Sequence, residues 1–337
     1  MALGRGRYGS LLRFVNRKAG RDGFNLRGGG LGDLFTMDHV TKYSLTFSAE
    51  CLPIRLLWVH NHSMNLQEFS ARYIIHRGAK VSLSQMDADE RSWAPPDFRH
   101  GGERKFDKLR DEIQALQKVL YAQGKHRILI ILQAMDTGGK DGCVKHVFSR
   151  VDPQGITVKA FKKPSEEDLA HDFLWRVHPH VPGNGEIVVF NRSHYEDIIA
   201  VRVKKLRPDE VWKKRYRHIV DFEKMLVDEG TTILKFFLHI SPEEQKARLE
   251  SRLRQPEKHW KLNPDDLQDR GQWHEFMAAY DELLSKTSTS HAPWYVIPSN
   301  RKWYRNLVVA QLVVDRLKAL GMQYPQPTWD PGSIVID

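Results

Sequence analysis

The sequence predicts an α/β fold, a parallel, doubly wound sheet with helices between its strands, on three observations. Arg127-Ile-Leu-Ile-Ile-Leu132 is a short apolar run rich in β-branched residues, which suits a strand buried on both faces. Gln133-Ala-Met-Asp-Thr-Gly-Gly-Lys-Asp-Gly142 follows at once and leads into a helical stretch through about Arg150. Beyond it, strand-like and helix-like segments alternate as far as Gly321.

Each element has its own signal. Phe106, Leu109, Ile113, Leu116 and Leu120 fall on one helical face, and Gly124 ends that helix. Ile156–Ala160 reads as a second strand. Ser165–His178 reads as a helix capped by Ser165, with Glu166 to Asp168 at its positive end. Glu186–Phe190 is a third strand, and a long helix runs from about Pro208 to Asp228 and stops at Gly230. Thr231–Ile240 is a fourth strand; Ser241-Pro242-Glu243-Glu244 then opens a helix with serine as cap and proline first. Trp294–Ile297 is a short fifth strand, and Trp303–Leu320 a closing helix ended by Gly321. Residues 326–337 read as an irregular tail.

Composition bounds the function. A chain of 337 residues, 41% hydrophobic and 28% charged, supports a substantial core and excludes global disorder. It has no apolar run of about 18 residues, so no membrane-spanning helix is expected. A net charge of +10 favours a polyanionic partner: nucleic acid, nucleotide, polyphosphate or an anionic membrane surface. Cys51 and Cys143 form no C-x-x-C pair, which argues against a disulfide framework or zinc finger and suits a reducing cytoplasm. Residues 1–63 stand apart, with 9 of the 23 glycines, 9 basic against 4 acidic residues, and no sustained period. Arg13, Arg17, Lys18 and Arg21 interrupt the apolar stretch a secretory signal needs. The segment reads as a basic, glycine-rich leader, disordered or an upstream extension of the reading frame, with Met64 as the natural start; a polyanion-binding arm is the functional alternative.

The glycine turn has the setting of a phosphate loop, in which backbone N–H groups wrap an oxyanion at the positive end of a helix. The pattern G-x-x-x-x-G-K-[ST] is met only in part, because Ala134 replaces the first glycine and Asp141 the hydroxyl residue. The strand before and the helix after raise it above an ordinary strand-to-helix turn. Gly138, Gly139, Asp141 and Gly142 would line the phosphates, and Lys140 would reach the transferred phosphoryl. The hydroxyl that usually ligates Mg²⁺ is missing, and Asp136 could supply a carboxylate instead, or merely bond its own backbone in the turn.

Ligands of open parallel sheets sit beyond the carboxyl ends of the strands, so a second catalytic group is expected in Asn191-Arg-Ser-His-Tyr-Glu-Asp197. Arg192 could grip phosphate with two hydrogen bonds, or pair with Glu196 one turn on. His194 reads as structural or orienting, since phosphoryl transfer needs little covalent help. Basic residues cluster at Lys162 and Lys163, along Arg202–Arg217, at Arg248 and Arg252, and at Lys258 and Lys261. Any one cluster suits a solvated face; several on one sheet edge would focus potential for a ligand of many phosphates.

These motifs resemble the polyphosphate kinase 2 family. The resemblance rests on Ala134-Met-Asp-Thr-Gly-Gly-Lys-Asp-Gly142, Phe161-Lys-Lys-Pro164, Ala170-His-Asp-Phe-Leu-Trp-Arg-Val-His178, Phe190-Asn-Arg-Ser-His-Tyr-Glu-Asp197, Phe236-Phe-Leu-His-Ile-Ser241, Trp260-Lys-Leu262 and Ala292-Pro-Trp-Tyr295, and it covers about residues 66–320. It implies a P-loop NTPase-like, three-layer αβα fold, thymidylate-kinase-like, with a helical lid over about 255–270 and a catalytic domain over 64–325. It further implies Mg²⁺-dependent (or Mn²⁺-dependent) phosphoryl transfer from inorganic polyphosphate to AMP, ADP or both. Asp136 would serve the metal and the nucleotide phosphate, Lys140 the transferred phosphoryl and Arg192 the phosphates at the second loop. Lys162, Lys163, Arg248, Arg252, Lys258 and Lys261 would contact the polyanion, and Asn191, His194, Glu196 and Asp197 the nucleotide. Many members carry Asp where this chain has Asn191, a weaker magnesium ligand; this version is similar to the class III subgroup that acts on both AMP and ADP. The family implies a homo-oligomer, dimer or tetramer. The rival readings are an ATP-dependent nucleoside monophosphate kinase and a non-catalytic polyanion- or nucleic-acid-binding protein.

Overall fold

The computed structural model describes residues 66–93, 98–334 and 336, so the leader expected over 1–63 lies outside the described residues. Six strands form one sheet: β1 (Ile74–Ile75), β2 (Arg127–Gln133), β3 (Ile156–Ala160), β4 (Ile187–Asn191), β5 (Thr231–His239) and β6 (Trp294–Pro298). Their order is β1-β6-β5-β2-β4-β3. All pairings are parallel except β1 with β6, which is antiparallel. The sheet is therefore mixed, not wholly parallel as expected. A strand of two residues is too short to carry a periodic signal.

Strands β2, β4 and β5 form because their residues are largely apolar on both sides. Ile128, Ile130 and Leu132 pack with Ile187, Val189, Leu234 and Phe236 on one face. Leu129 and Ile131 pack with Val188, Phe190, Ile233 and Phe237 on the other. Each such side chain contributes roughly 1.5–3 kcal/mol by leaving water. Helices α1 (Leu66–Ala71), α2 (Phe98–Gln123) and α3 (Lys140–Val147) are followed by α4 (Glu166–Ala170), α5 (Glu196–Val203) and α6 (Asp209–Asp228). After them come α7 (Pro242–Leu253), α8 (Pro264–Gly271), α9 (Trp273–Thr287) and α10 (Lys302–Ala319). Residues of α2, α3 and α10 cover the first face. Residues of α5, α6 and α9 cover the second, which completes three layers.

One helix is much shorter than expected. Ser165 and Asp168 form a reciprocal capping box, but α4 ends at Ala170 rather than His178. Asp172 Oδ1 accepts from the Leu174 N–H at 2.9 Å and opens a separate turn, the local competition by which aspartate ends helices. In the segment expected as a lid, a 3-10 turn over Pro256–Lys261 precedes α8.

The topology makes the site. From β2 the chain runs outward to β3, returns through β4, then crosses to β5 on the opposite flank of β2. This reversal opens a crevice at the carboxyl ends of the strands. Leu132 is in register with both Asn191 and Phe236, so the loops leaving β2 and β4 start at one level.

Candidate active site

The glycine turn is shaped by conformations few residues adopt. Gly139 caps α3 with φ of 101°, in the left-handed region. A β-carbon on Gly138 would lie 2.4 Å from that of Ala134 and 2.8 Å from the Met135 carbonyl oxygen. Thr137 (φ 62°) and Arg192 (φ 64°) hold left-handed backbones without being glycine. Each costs on the order of 1–3 kcal/mol, a strain that collects at functional sites.

Between these loops the charged side chains meet. Arg192 Nη2 donates to Asp136 Oδ1 at 2.6 Å, joining the end of β4 to the turn after β2. Gln245 on α7 braces the turn by donating to the Asp136 carbonyl at 3.2 Å. Lys140 is buried and donates to the Ala134 carbonyl at 2.8 Å. Burial, then Arg192, lowers its pKa to about 8, against the pull of Asp136, Glu196 and Asp141. Burial raises the Glu196 carboxyl, while Arg192 and Lys140 oppose the rise. With its amide turned to satisfy both ends, Gln133 donates to Glu196 Oε1 at 3.0 Å and accepts from Ser193 Oγ at 3.0 Å. Asn191 Nδ2 donates to Asp141 Oδ1 at 2.7 Å, and Lys261 donates to Oδ2 at 3.3 Å. Against its burial, these two hold the Asp141 carboxyl below its usual range.

Asp136, Lys140, Asp141, Asn191, Arg192, Glu196 and Lys261 thus share one cleft around Gly138, Gly139 and Gly142. The arrangement gathers three cations, Lys140, Arg192 and Lys261, three carboxylates, Asp136, Asp141 and Glu196, and a loop of backbone donors, which is equipment for handling a phosphate chain and a metal ion.

The Polyphosphate kinase 2 (PPK2) family model matches residues 99–325. The chain belongs to the polyphosphate kinase 2 family. The AMP/ADP-polyphosphate phosphotransferase of Meiothermus ruber is 50% identical over 269 residues, 79% of this chain and 99% of that protein. The ADP-polyphosphate phosphotransferase of Rhodopseudomonas palustris is 42% identical over 246 residues, 68% of this chain and 85% of its own. The crystal structure of polyphosphate kinase 2 from Arthrobacter aurescens TC1 superimposes with a TM-score of 0.75 at 40% identity, over 79% of this chain and 94% of that one.

Several residues of this polyphosphate kinase 2 chain stand elsewhere than the sequence suggested. His194 is fully buried among Phe190, Tyr195 and Phe222, with Nε2 3.5 Å from Glu223 Oε1, so it cannot touch a nucleotide. Its burial overturns the expected nucleotide contact. Asp197 is buried between Arg176 at 3.3 Å and Arg215 at 3.4 Å, and its carboxylate is already engaged. Arg248 is also buried: Nε donates to Glu244 Oε1 at 2.7 Å, Nη1 to the Thr137 carbonyl at 2.9 Å, and Nη2 to the Ser299 and Asn300 carbonyls. It props the loop and is not an open polyanion contact. Arg252 donates to the Lys261 carbonyl and lies 3.6 Å from Asp266. Lys162, Lys163 and Lys258 are exposed.

Other site residues were missed. Asp266 and Asp269 on α8 sit close enough to Asp136 and Arg192 to feel their charge, and burial raises both carboxyls. Acids on a polar helix read as a solvated face, so nothing in the sequence singles them out. Tyr280 donates to the Ala134 carbonyl at 3.3 Å from within α9. Arg305 offers a signal in hindsight, as a cation inside the apolar run from Tyr304 to Ala310.

Proposed function

We propose that this chain transfers the terminal phosphoryl of inorganic polyphosphate to AMP and ADP, reversibly, making ADP and ATP. The observation that carries the reading is the 2.6 Å contact between Asp136 and Arg192, which sets the lysine-bearing loop and the arginine loop around one cleft. The names of the Meiothermus and Rhodopseudomonas relatives, AMP/ADP- and ADP-polyphosphate phosphotransferase, support the same donor and acceptors.

In this reading the attacking group is a terminal phosphate oxygen of the nucleotide, already ionised at neutral pH, so no general base is required. It forms a new P–O bond to the terminal phosphorus of the donor. The bridging P–O bond breaks, and the polyphosphate leaves one phosphate shorter. Lys140 and Arg192 neutralise the equatorial oxygens while charge spreads over them. Asn191 and Glu196 face the acceptor. The segment 255–270 acts as the lid, carrying Lys258 and Lys261 to the polyanion, and Lys162 and Lys163 extend the trough from β3.

Magnesium, or manganese in its place, fits as a partner of the phosphates. The described residues hold no group of three acidic, histidine or cysteine side chains that could bind a metal alone. Mg²⁺ is commonly held by one or two carboxylates together with substrate phosphates and water, and Asp136 supplies the carboxylate. When bound, the ion would neutralise phosphate charge; Asp136, which accepts from Arg192 in this structure, would hold it, and Arg192 would serve the phosphates. No helix among the described residues is long and apolar enough to cross a membrane. A cytoplasmic, homo-oligomeric enzyme is part of the reading.

The test is direct. Purified protein with AMP, polyphosphate and Mg²⁺ but no ATP is expected to form ADP and then ATP, resolved by nucleotide chromatography. Formation of ADP only when ATP is supplied would overturn the reading in favour of a nucleoside monophosphate kinase.

A further inference from the structure

Behind the phosphate loop lies a guanidinium that the proposed mechanism leaves unused. Arg305, near the start of α10, is 1% exposed. Its Nε and Nη2 both donate to Asn306 Oδ1, at 3.1 and 2.7 Å. Among the described residues no carboxylate oxygen comes within 4.0 Å of it, and Nη1 meets no protein acceptor. A β-carbon on Gly139 would lie 1.9 Å from Nη1, and one on Gly142 would lie 3.3 Å from Nη2. The two glycines therefore leave room for the guanidinium along the first turn of α3. Nη1, which donates to no acceptor among the described residues, is the end nearest the loop.

The surroundings add positive charge and do not cancel it. Arg248 Nη1 lies 3.5 Å from the same point at Gly139, but that arginine is saturated by Glu244 and three carbonyls. Burial pushes the Cys143 thiol up to about 11, so at neutral pH it brings no negative charge to Arg305. Lys302, one turn before Arg305, is disfavoured as a cation by burial and by Arg248, Arg305 and Lys258, with Glu244 opposing. Exposed Lys258 and Lys302 thus lead inward to Arg248 and Arg305. A buried guanidinium without a counter-charge is costly, and it persists where an anion completes it.

We infer that Arg305 is a binding residue for the polyphosphate donor, engaging through Nη1 the phosphate that the glycine loop cradles. The inference rests on the reading of that loop as the donor site. Asn306 fixes the guanidinium so that its free edge meets the anion already oriented. Lys302 and Lys258 flank the path by which the rest of the donor chain reaches solvent.

Arg305→Met tests it, because methionine fills the space and removes the uncompensated charge. Without ligand, the variant is expected to melt at or above the wild-type temperature. The upward shift that inorganic tripolyphosphate gives the wild type is expected to fall by more than half. The KM for polyphosphate should rise at least tenfold, with the KM for AMP within twofold. Arg305→Lys, which keeps the charge but loses the fork, should fall between the two, and it carries the test if the methionine variant does not fold. An unliganded melting temperature several degrees lower, with tripolyphosphate shift and polyphosphate KM unchanged, would overturn the inference and make Arg305 a structural prop. A wild type that neither responds to tripolyphosphate nor turns over polyphosphate would overturn the donor reading itself.

Discussion

Lys140 shows what a site residue costs the fold. Its ordinary value of 10.5 falls to about 8 because burial and Arg192 disfavour the cation. The unfolded chain therefore holds more protons between pH 8 and 10.5, and stability rises with pH across that window. At pH 7 the buried cation costs the fold roughly 3 kcal/mol, at 1.36 kcal/mol per pKa unit. Function runs the other way. As pH passes 8 the free enzyme loses the charge that the proposed mechanism sets against the phosphoryl group, so kcat/KM for polyphosphate should decline above about pH 8. A profile flat to pH 9.5 would contradict this. Lys140→Ala should lower turnover by about 100- to 1,000-fold, the loss typical of one preorganised contact to a developing charge. Gly139→Ala is expected to be as damaging for a different reason. It strains a backbone at φ 101° and drives a methyl group into Arg305. Steady-state kinetics with circular dichroism would separate lost activity from lost fold.

At the scale of elements, the arginine loop is anchored by a buried ion pair. Lys235 on β5 donates to Glu223 Oε2 on α6 at 2.7 Å, to Tyr195 Oη at 2.9 Å and to the Thr287 carbonyl at 2.8 Å. Tyr195 Oη in turn donates to Glu223 Oε1 at 2.7 Å, only three residues beyond Arg192. Burial pushes Glu223 toward neutrality, but Lys235 and His194 hold its carboxyl below its usual range. Lys235→Met should cost about 3–5 kcal/mol by stranding that carboxylate, and Lys235→Met with Glu223→Gln should recover more than half. Urea denaturation checks both; equal losses in the single and double variants would mean the pair is not the anchor. None of this network was legible in the sequence, where Lys235 interrupts an apolar strand without naming its partner. Strands β2, β4 and β5 were legible, because residues apolar on both faces have few other places to go. The loop was legible from its strand–turn–helix setting. His194 was misplaced because a histidine in a site motif says nothing of which way its ring points.

For the whole molecule, the open question is where the charge that draws polyphosphate resides. Residues 1–63 carry 9 basic and 4 acidic residues, half of the net +10. Yet every cation assigned to the cleft, from Lys140 to Arg305, lies in the described part of the chain, and the family match begins only at residue 99. The Meiothermus relative is 99% covered by a 269-residue match, which leaves it little counterpart for such a leader. A chain starting at Met64 should therefore keep its turnover within about twofold. Charge focused in the cleft should still make polyphosphate binding salt-sensitive, because a Debye length of about 10 Å at 0.1 M shrinks to about 3 Å at 1 M. The KM for polyphosphate should climb with ionic strength equally steeply in the 337-residue and shortened chains, while the KM for AMP climbs less. If the shortened protein loses the salt dependence together with its activity, the leader is a working part of the polyanion site, and the cleft alone does not explain binding.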